Sequence, residues 1–279
     1  ASPPWTDEEV RRAVEDYMSM LRQELAGQPY NKAQHRRSLL RDLNGRTEAS
    51  IEFKHRNISA ALRDLGYLWI PGYLPAPNYQ QALMPAVESW LADNPDFDRL
   101  ASDSVERQAV LREDLDLGSL EEEMPPKSEV APRDELNDAA LQFRPVKRDY
   151  AAIEARNRSL GLAGEELIVE FERHRLGRQG LGELARKVEQ VSRTRGDGCG
   201  FDVLSYHPDG REHFIEVKTT CFAPQVPFFT TAAELRFSQI YSDQFSLVRV
   251  FNFRQAPRFF RLAGAIADHC VLDAVSFRC

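Results

Sequence analysis

The sequence predicts an α/β protein, with an all-α N-terminal part and a C-terminal part that joins helices to a sheet. Three patterns carry this reading. Up to about residue 92, apolar side chains recur at helical spacing between capping residues and Gly or Pro stops. Between Phe201 and Lys218, two runs of strand formers flank a tight-turn signal. From Thr231 to Phe253, a helical stretch leads into an apolar run of strand length.

The first helix opens at a capping box, Thr6 with Glu9. It carries Val10, Tyr17, Leu21 and Leu25 on one face until Gly27 and Pro29 end it. A basic stretch over residues 31–41 stops before Asn44-Gly45. A further helix is expected from about Glu48 to Leu65, with Ile51, His55, Ile58 and Leu62 on one face and Lys54, Arg56 and Arg63 elsewhere. Gly66 to Pro77 reads as a Pro/Gly/aromatic connector, and Asn78 to Leu91 as a last helix. The basic residues Lys32, Arg36, Arg37, Arg41, Arg46, Lys54 and Arg56 are candidate phosphate contacts. A helical docking or dimerisation module explains the same pattern equally well.

The net charge of −7 is unevenly spread. Asp93 to Asp138 holds 15 acidic and 5 basic residues, whereas residues 144–279 hold 20 basic and 17 acidic, and residues 1–92 balance. Residues 93–143 also contain Pro125-Pro126 and Glu121-Glu122-Glu123, with a helical pattern only around Ser104 to Leu115. A solvated acidic linker between two domains, 1–92 and 144–279, is therefore expected. No apolar run approaches the length that crosses a membrane, and no signal peptide is evident, so a cytoplasmic protein without a membrane partner is expected. The four cysteines (Cys199, Cys221, Cys270, Cys279) show no CxxC spacing, which argues against zinc with His207, His213 or His269 and for isolated buried thiols.

The C-terminal part opens with a helix over residues 164–176, where Leu167, Ile168 or Val169, and Phe171 repeat at helical spacing and acidic residues crowd the first turns. A Glu on the inner edge of this helix could complete a metal site; the plain alternative is that Glu165, Glu166, Glu170 and Glu172 form a solvated face, which fits most of them. The hairpin follows. Pro208-Asp209-Gly210 suits a three-residue loop closed by a left-handed glycine, which sets His207 opposite Arg211. Counting back sets Asp202 opposite Glu216, about 5 Å apart at Cβ, with Lys218 two residues on and on the same face. Two carboxylates this close repel unless a cation lies between them, and hard oxygen donors favour Mg²⁺, with Mn²⁺ able to replace it. The plain alternative is a salt-bridge ladder on Lys218. After the hairpin, Thr231 to Ser242 is expected to be helical with Leu235 and Ile240 inward, then Ser246 to Phe251 a buried strand.

Gly164-Glu165, then Gly196-Asp197-Gly198-Cys199-Gly200-Phe201-Asp202, then Ile215-Glu216-Val217-Lys218-Thr219-Thr220 resemble, in that order, the NO VEIN C-terminal domain family. Residues 227–238 and 245–251 extend the resemblance, which covers about 144–279. That domain is similar to the PD-(D/E)xK, restriction-endonuclease-like superfamily that includes Mrr-type enzymes. The resemblance implies a mixed sheet flanked by helices. It implies Glu165 as a helix carboxylate, Asp202 and Glu216 as metal ligands together with the Val217 carbonyl, and Lys218 as the water activator. The N-terminal part resembles a domain of other bacterial proteins, some with HNH nuclease domains, which implies a targeting module.

The expected function is a Mg²⁺-dependent endonuclease acting on nucleic acid, DNA before RNA, in a setting of bacterial defence or restriction. A homodimer would supply the two sites that a double-strand cut needs. The rival expectation is a catalytically silent nuclease fold that binds nucleic acid or docks a protein. Other signals are weaker. The glycine-rich 196–200 segment lacks the Lys-Ser/Thr of a phosphate-binding loop and precedes a strand, so its glycines are read as turn residues; Asp197 is either an added ligand or part of the turn. Phe228, Phe229, Phe259 and Phe260 are read as core before base-stacking residues.

Overall fold

The computed structural model describes residues 4–43, 45–124, 149–196 and 198–273. These fall into two compact units: residues 4–107 with 149–154 and 225–227, and residues 108–124 with 155–224 and 228–273.

The first unit is helical. It contains α1 (Asp7–Ala26), α2 (Lys32–Asp42), α3 (Glu48–Asp64), α4 (Leu83–Asp93), α5 (Asp96–Glu106) and most of α6 (Tyr150–Ala155). The capping box of α1 forms as its sequence requires: Thr6 accepts from the Glu9 N–H, Glu9 accepts from the Thr6 N–H, and Gly27 ends the helix at φ +70°. Val10, Tyr17, Leu21 and Leu25 are buried on one side of α1, and Ile51, His55, Ile58 and Leu62 on one side of α3. The last expected helix starts later than its polarity suggested, at Leu83, because Asn78 adopts a left-handed φ of +66° and breaks the run.

The helical unit also extends beyond residue 92. α5 buries Phe97, Ala101 and Val105, which repeat at four-residue spacing inside the acidic stretch. Charge counting hid that stripe. The helix falls at 96–106, earlier than the pattern around 104–115. Residues 108–124 belong to the second unit, and residues 125–148 of the expected linker lie outside the described residues.

The second unit is an α/β layer structure. α7 (Arg158–Arg178) and α8 (Gly182–Lys187) lead to β1 (Glu189–Gln190), α9 (Val191–Thr194), β2 (Val203–Tyr206) and β3 (Glu212–Thr219). Then come α10 (Ala232–Ile240), β4 (Phe245–Phe251), β5 (Arg258–Ala263) and α11 (Ile266–His269). The strands lie in the order β1-β2-β3-β4-β5, antiparallel except for the parallel β3–β4 pair that α10 connects, so the sheet is mixed. All of β4 is buried, as a strand with covered faces should be. At the outer edge, the Phe259 N–H donates to the Leu120 carbonyl (2.9 Å) and the Glu122 N–H to the Phe259 carbonyl (2.8 Å). This segment from the expected linker thus pairs with β5.

The hairpin register is the one the turn dictates. His207 N–H donates to the Arg211 carbonyl (2.8 Å), Gly210 sits at φ +89°, and Val203 pairs with Ile215. Three expectations fail. Glu172, read among the solvated acids of its helix, is fully buried on α7. Ile240 is 64% exposed: five residues from Leu235 is about 500° around a helix, so the two do not share a face. Phe237 takes the inner position instead, against Phe201, Phe214 and Phe245. Cys199 is exposed, because it lies in the turn between Gly198 (φ +112°) and Gly200 (φ +86°); Cys221 is buried and Cys270 half-buried.

Candidate active site on strand β3

Asp202 precedes β2 by one residue, and its backbone is held on both sides. Its N–H donates to the Ile215 carbonyl (2.9 Å), and its carbonyl accepts from Val191 (2.8 Å). Its carboxylate turns toward β3 and accepts the Val217 N–H at 2.8 Å. Alternation along β3 turns the Val217 N–H and carbonyl to the β2 side, where the β2 ladder has already ended. Glu216 and Lys218 lie side by side on β3, with Lys218 Nζ 2.6 Å from Glu216 Oε1. Glu216 is 1% exposed, and its Oε2 has no hydrogen-bond partner among the described residues.

Glu165 reaches this end of the sheet from α7. The glycine before it makes that possible: a Cβ on Gly164 would lie 1.9 Å from Thr219 Oγ1, so only glycine lets the helix sit this close to β3. The buried Glu165 carboxylate accepts from Gln190 Nε2 (2.9 Å) and from the Ser192 hydroxyl, which both flank the Val191 link to Asp202.

The electrostatics follow from burial of several acids with one base. Burial, then the Glu165 charge, push Asp202 up to about 7. Burial, then Asp202, raise Glu216 well above the usual carboxylate range. Burial alone would discharge Lys218, yet Glu216 and Glu234 outweigh it and hold the ammonium above the ordinary lysine range. Glu234 was not foreseen. It comes from the first turn of α10, with Oε2 2.8 Å from Lys218 Nζ. Its signal was present as Thr231-Ala-Ala-Glu234, a capping-box spacing, and the box forms.

Glu165, Asp202, Glu216 and Lys218 therefore converge as their motif order suggests, joined by Glu234. Asp197 lies outside the described residues. Among the described residues, no three His, Cys, Asp or Glu side chains are grouped so as to hold a metal ion. What Asp202, Glu216 and the Val217 carbonyl offer is a hard oxygen donor set that includes one unpartnered buried carboxylate oxygen, and this suits Mg²⁺ or Mn²⁺ in kind. Beside the site, α7, α8 and the β1–α9 segment line a cleft of about 460 Å³ whose charged residues are mixed, Arg173, Arg186, Lys187 and Arg193 with Glu166, Glu170 and Glu189. Residues 173–195 hold seven basic and two acidic residues.

Residues 164–262 match the family model described as Protein NO VEIN, C-terminal. The matched segment begins at the glycine that packs on Thr219 and ends in β5. It contains Glu165, Asp202, Glu216, Lys218 and Glu234. No curated protein and no solved structure matches the chain.

Most of the N-terminal candidates for phosphate contact are engaged within the helical unit. Lys54 is 4% exposed, its ammonium over the Trp5 ring (4.7 Å) and 3.4 Å from Gln80. Arg46 is bound to Glu9 at 2.6 Å, and Arg36 to Glu48 at 2.9 Å. Lys32 donates to the Pro71 carbonyl, and Arg56 donates to the Leu74 carbonyl (3.2 Å). Arg37 and Arg41 project into solvent. Helical spacing alone placed Lys54 off the packed face; Trp5 and Gln80, distant in sequence, cover it.

Phe259 and Phe260 are buried in β5, and Phe228 lies under the Arg249 guanidinium at 5.4 Å. They serve packing.

Proposed function

We propose that the C-terminal unit hydrolyses phosphodiester bonds in nucleic acid, DNA before RNA, with Mg²⁺ or Mn²⁺ held by Asp202, Glu216 and the Val217 carbonyl. The observation that carries this reading is the Glu216–Lys218 pair on β3, with Asp202 clamped beside it and Glu165 brought in by Gly164. A structural salt bridge needs neither the second and third acids nor a buried, unpartnered carboxylate oxygen. A bound divalent ion would offset charge developing on the phosphate and acidify a water. Lys218, flanked by Glu216 and Glu234, keeps its proton and so acts as a fixed positive charge that orients water and phosphate. Glu165, fixed by Gln190 and Ser192, positions the water. In the cleft beside Glu165, Lys187 and Arg193 are exposed and without ion pairs among the described residues, so these two are the cations left to contact phosphates.

The test is cleavage of single- and double-stranded DNA and RNA by the full chain with Mg²⁺ or Mn²⁺. Lys218→Ala is expected to cut at least about a hundredfold more slowly. Equal cutting by that variant, or none by the wild type, sinks the proposal.

One observation favours a second reading, a silent nuclease fold that binds nucleic acid or a protein. Glu216 already has a cation in Lys218, so it has a partner without a metal. Wild-type protein that retains an oligonucleotide in Mg²⁺ without cutting it supports this alternative.

A further inference from the structure

Lys218 joins two carboxylates of different standing. Glu234 Oε2 accepts from Lys218 Nζ (2.8 Å), Thr230 Oγ1 (3.0 Å) and the Thr231 N–H (3.2 Å). Two of these three donors belong to the turn that opens α10, so local structure holds this oxygen in place irrespective of Lys218. Among the described residues Glu216 has no such support: its Oε1 meets Lys218 at 2.6 Å, and its Oε2 meets no hydrogen-bond donor. Any cation drawn to Glu216 therefore competes with the ammonium already on it.

We propose that Glu234 is a positioning residue: the fixed counter-ion that retains the Lys218 ammonium at the site while Glu216 is released to a divalent cation. The inference rests on the reading of Asp202 and Glu216 as metal holders. With both carboxylates present, Lys218 is able to slacken its hold on Glu216 without losing its only anion. Without the Glu234 charge, the whole attraction of the ammonium falls on Glu216, and a divalent cation must compete against it. Glu234 thus acts on the metal through Lys218 and not by touching it, as outer partners of metal ligands commonly do.

The test is calorimetric titration of Mn²⁺ into the full chain, without nucleic acid. Glu234→Gln keeps the acceptor that the capping box needs, because glutamine serves at that position, and so it removes charge with little change to α10. It is expected to weaken Mn²⁺ binding about tenfold. Lys218→Met removes the competitor, so in that background Glu234→Gln is expected to change Mn²⁺ affinity less than about twofold, the coupling having gone. A lower melting temperature with unchanged Mn²⁺ affinity in both backgrounds would mark Glu234 as a helix cap only and overturn the inference. Equal loss of affinity in both backgrounds also overturns it, since the effect would not pass through Lys218. A wild-type chain that takes up no Mn²⁺ removes the metal reading itself and the inference with it.

Discussion

Glu172 is fully buried on α7, with Ser205 Oγ at 2.5 Å, Arg175 at 2.6 Å and Arg261 at 2.7 Å. Burial favours its neutral form, but Arg261 and Arg175 outweigh this and hold it at about 2. A carboxylate lowered on folding stabilises the native state above its unfolded value, about 4.5, and that stability is lost as pH falls toward 2. The shift corresponds to about 3 kcal/mol, an upper figure. His213, which burial and then Arg261 lower to about 3, adds a loss in the same direction, beginning as pH drops below 6.5. Urea unfolding of the wild type is expected to show both losses. Glu172→Gln should flatten the part between pH 4.5 and 2, yet be about 3 kcal/mol less stable at pH 7, where Arg175 loses its carboxylate and Arg261 is left with Glu121 alone. An unchanged acid limb in that variant refutes the assignment. Sequence gave no hint of this site: Glu172 reads as one more acid on a polar helix, and Arg261 lies 89 residues away.

Among elements, the distance between α7 and β3 is fixed at Gly164. Gly164→Ala puts a methyl 1.9 Å from Thr219 Oγ1 and 2.9 Å from Thr219 Cβ, so the helix must lift. The expected loss is about 1–3 kcal/mol by denaturant titration, with partial recovery in Gly164→Ala/Thr219→Ala. Failure of the second change to recover any stability would show that the contact does not set the spacing. The sequence marked Gly164 only through the family resemblance, and nothing local to it named Thr219, 55 residues on, as its contact. Register was legible, since Pro208-Asp209-Gly210 leaves one way to close the hairpin and so fixes which residues oppose each other. Glu234 was not, for its role depends on how α10 lies across the sheet, and no local pattern encodes that angle. Lys54 was misread for a related reason: helical periodicity cannot register a tryptophan that folds over from 49 positions earlier.

At the scale of the molecule, the α/β and all-α parts were evident from periodicity, but their borders were not. Acidic composition from Asp93 onward suggested one solvated tether, whereas α5 is packed into the helical unit and residues 108–124 into the sheet unit. Leu120 is 1% exposed, and Glu121 and Glu122 pair with Arg261 (3.3 Å) and Arg258 (3.1 Å) on β5. These acids are structural, which a charge count cannot distinguish from solvated ones. A fragment cut at the sequence-derived border, 144–273, leaves this strip out; 108–273 retains it. The longer fragment is expected to stay monomeric in light scattering at concentrations where the shorter one self-associates, and equal behaviour of the two would refute the role given to the strip.

That strip has a consequence for how the chain survives its own synthesis and crowding. A bare outer strand is a template on which another molecule can add, the first step toward aggregates. By laying residues 120–122 along β5, the chain occupies its own template with a segment that is always at hand. The charged side chains of Glu121 and Glu122, bound to arginines of the strand they cover, then leave little for a stranger to copy.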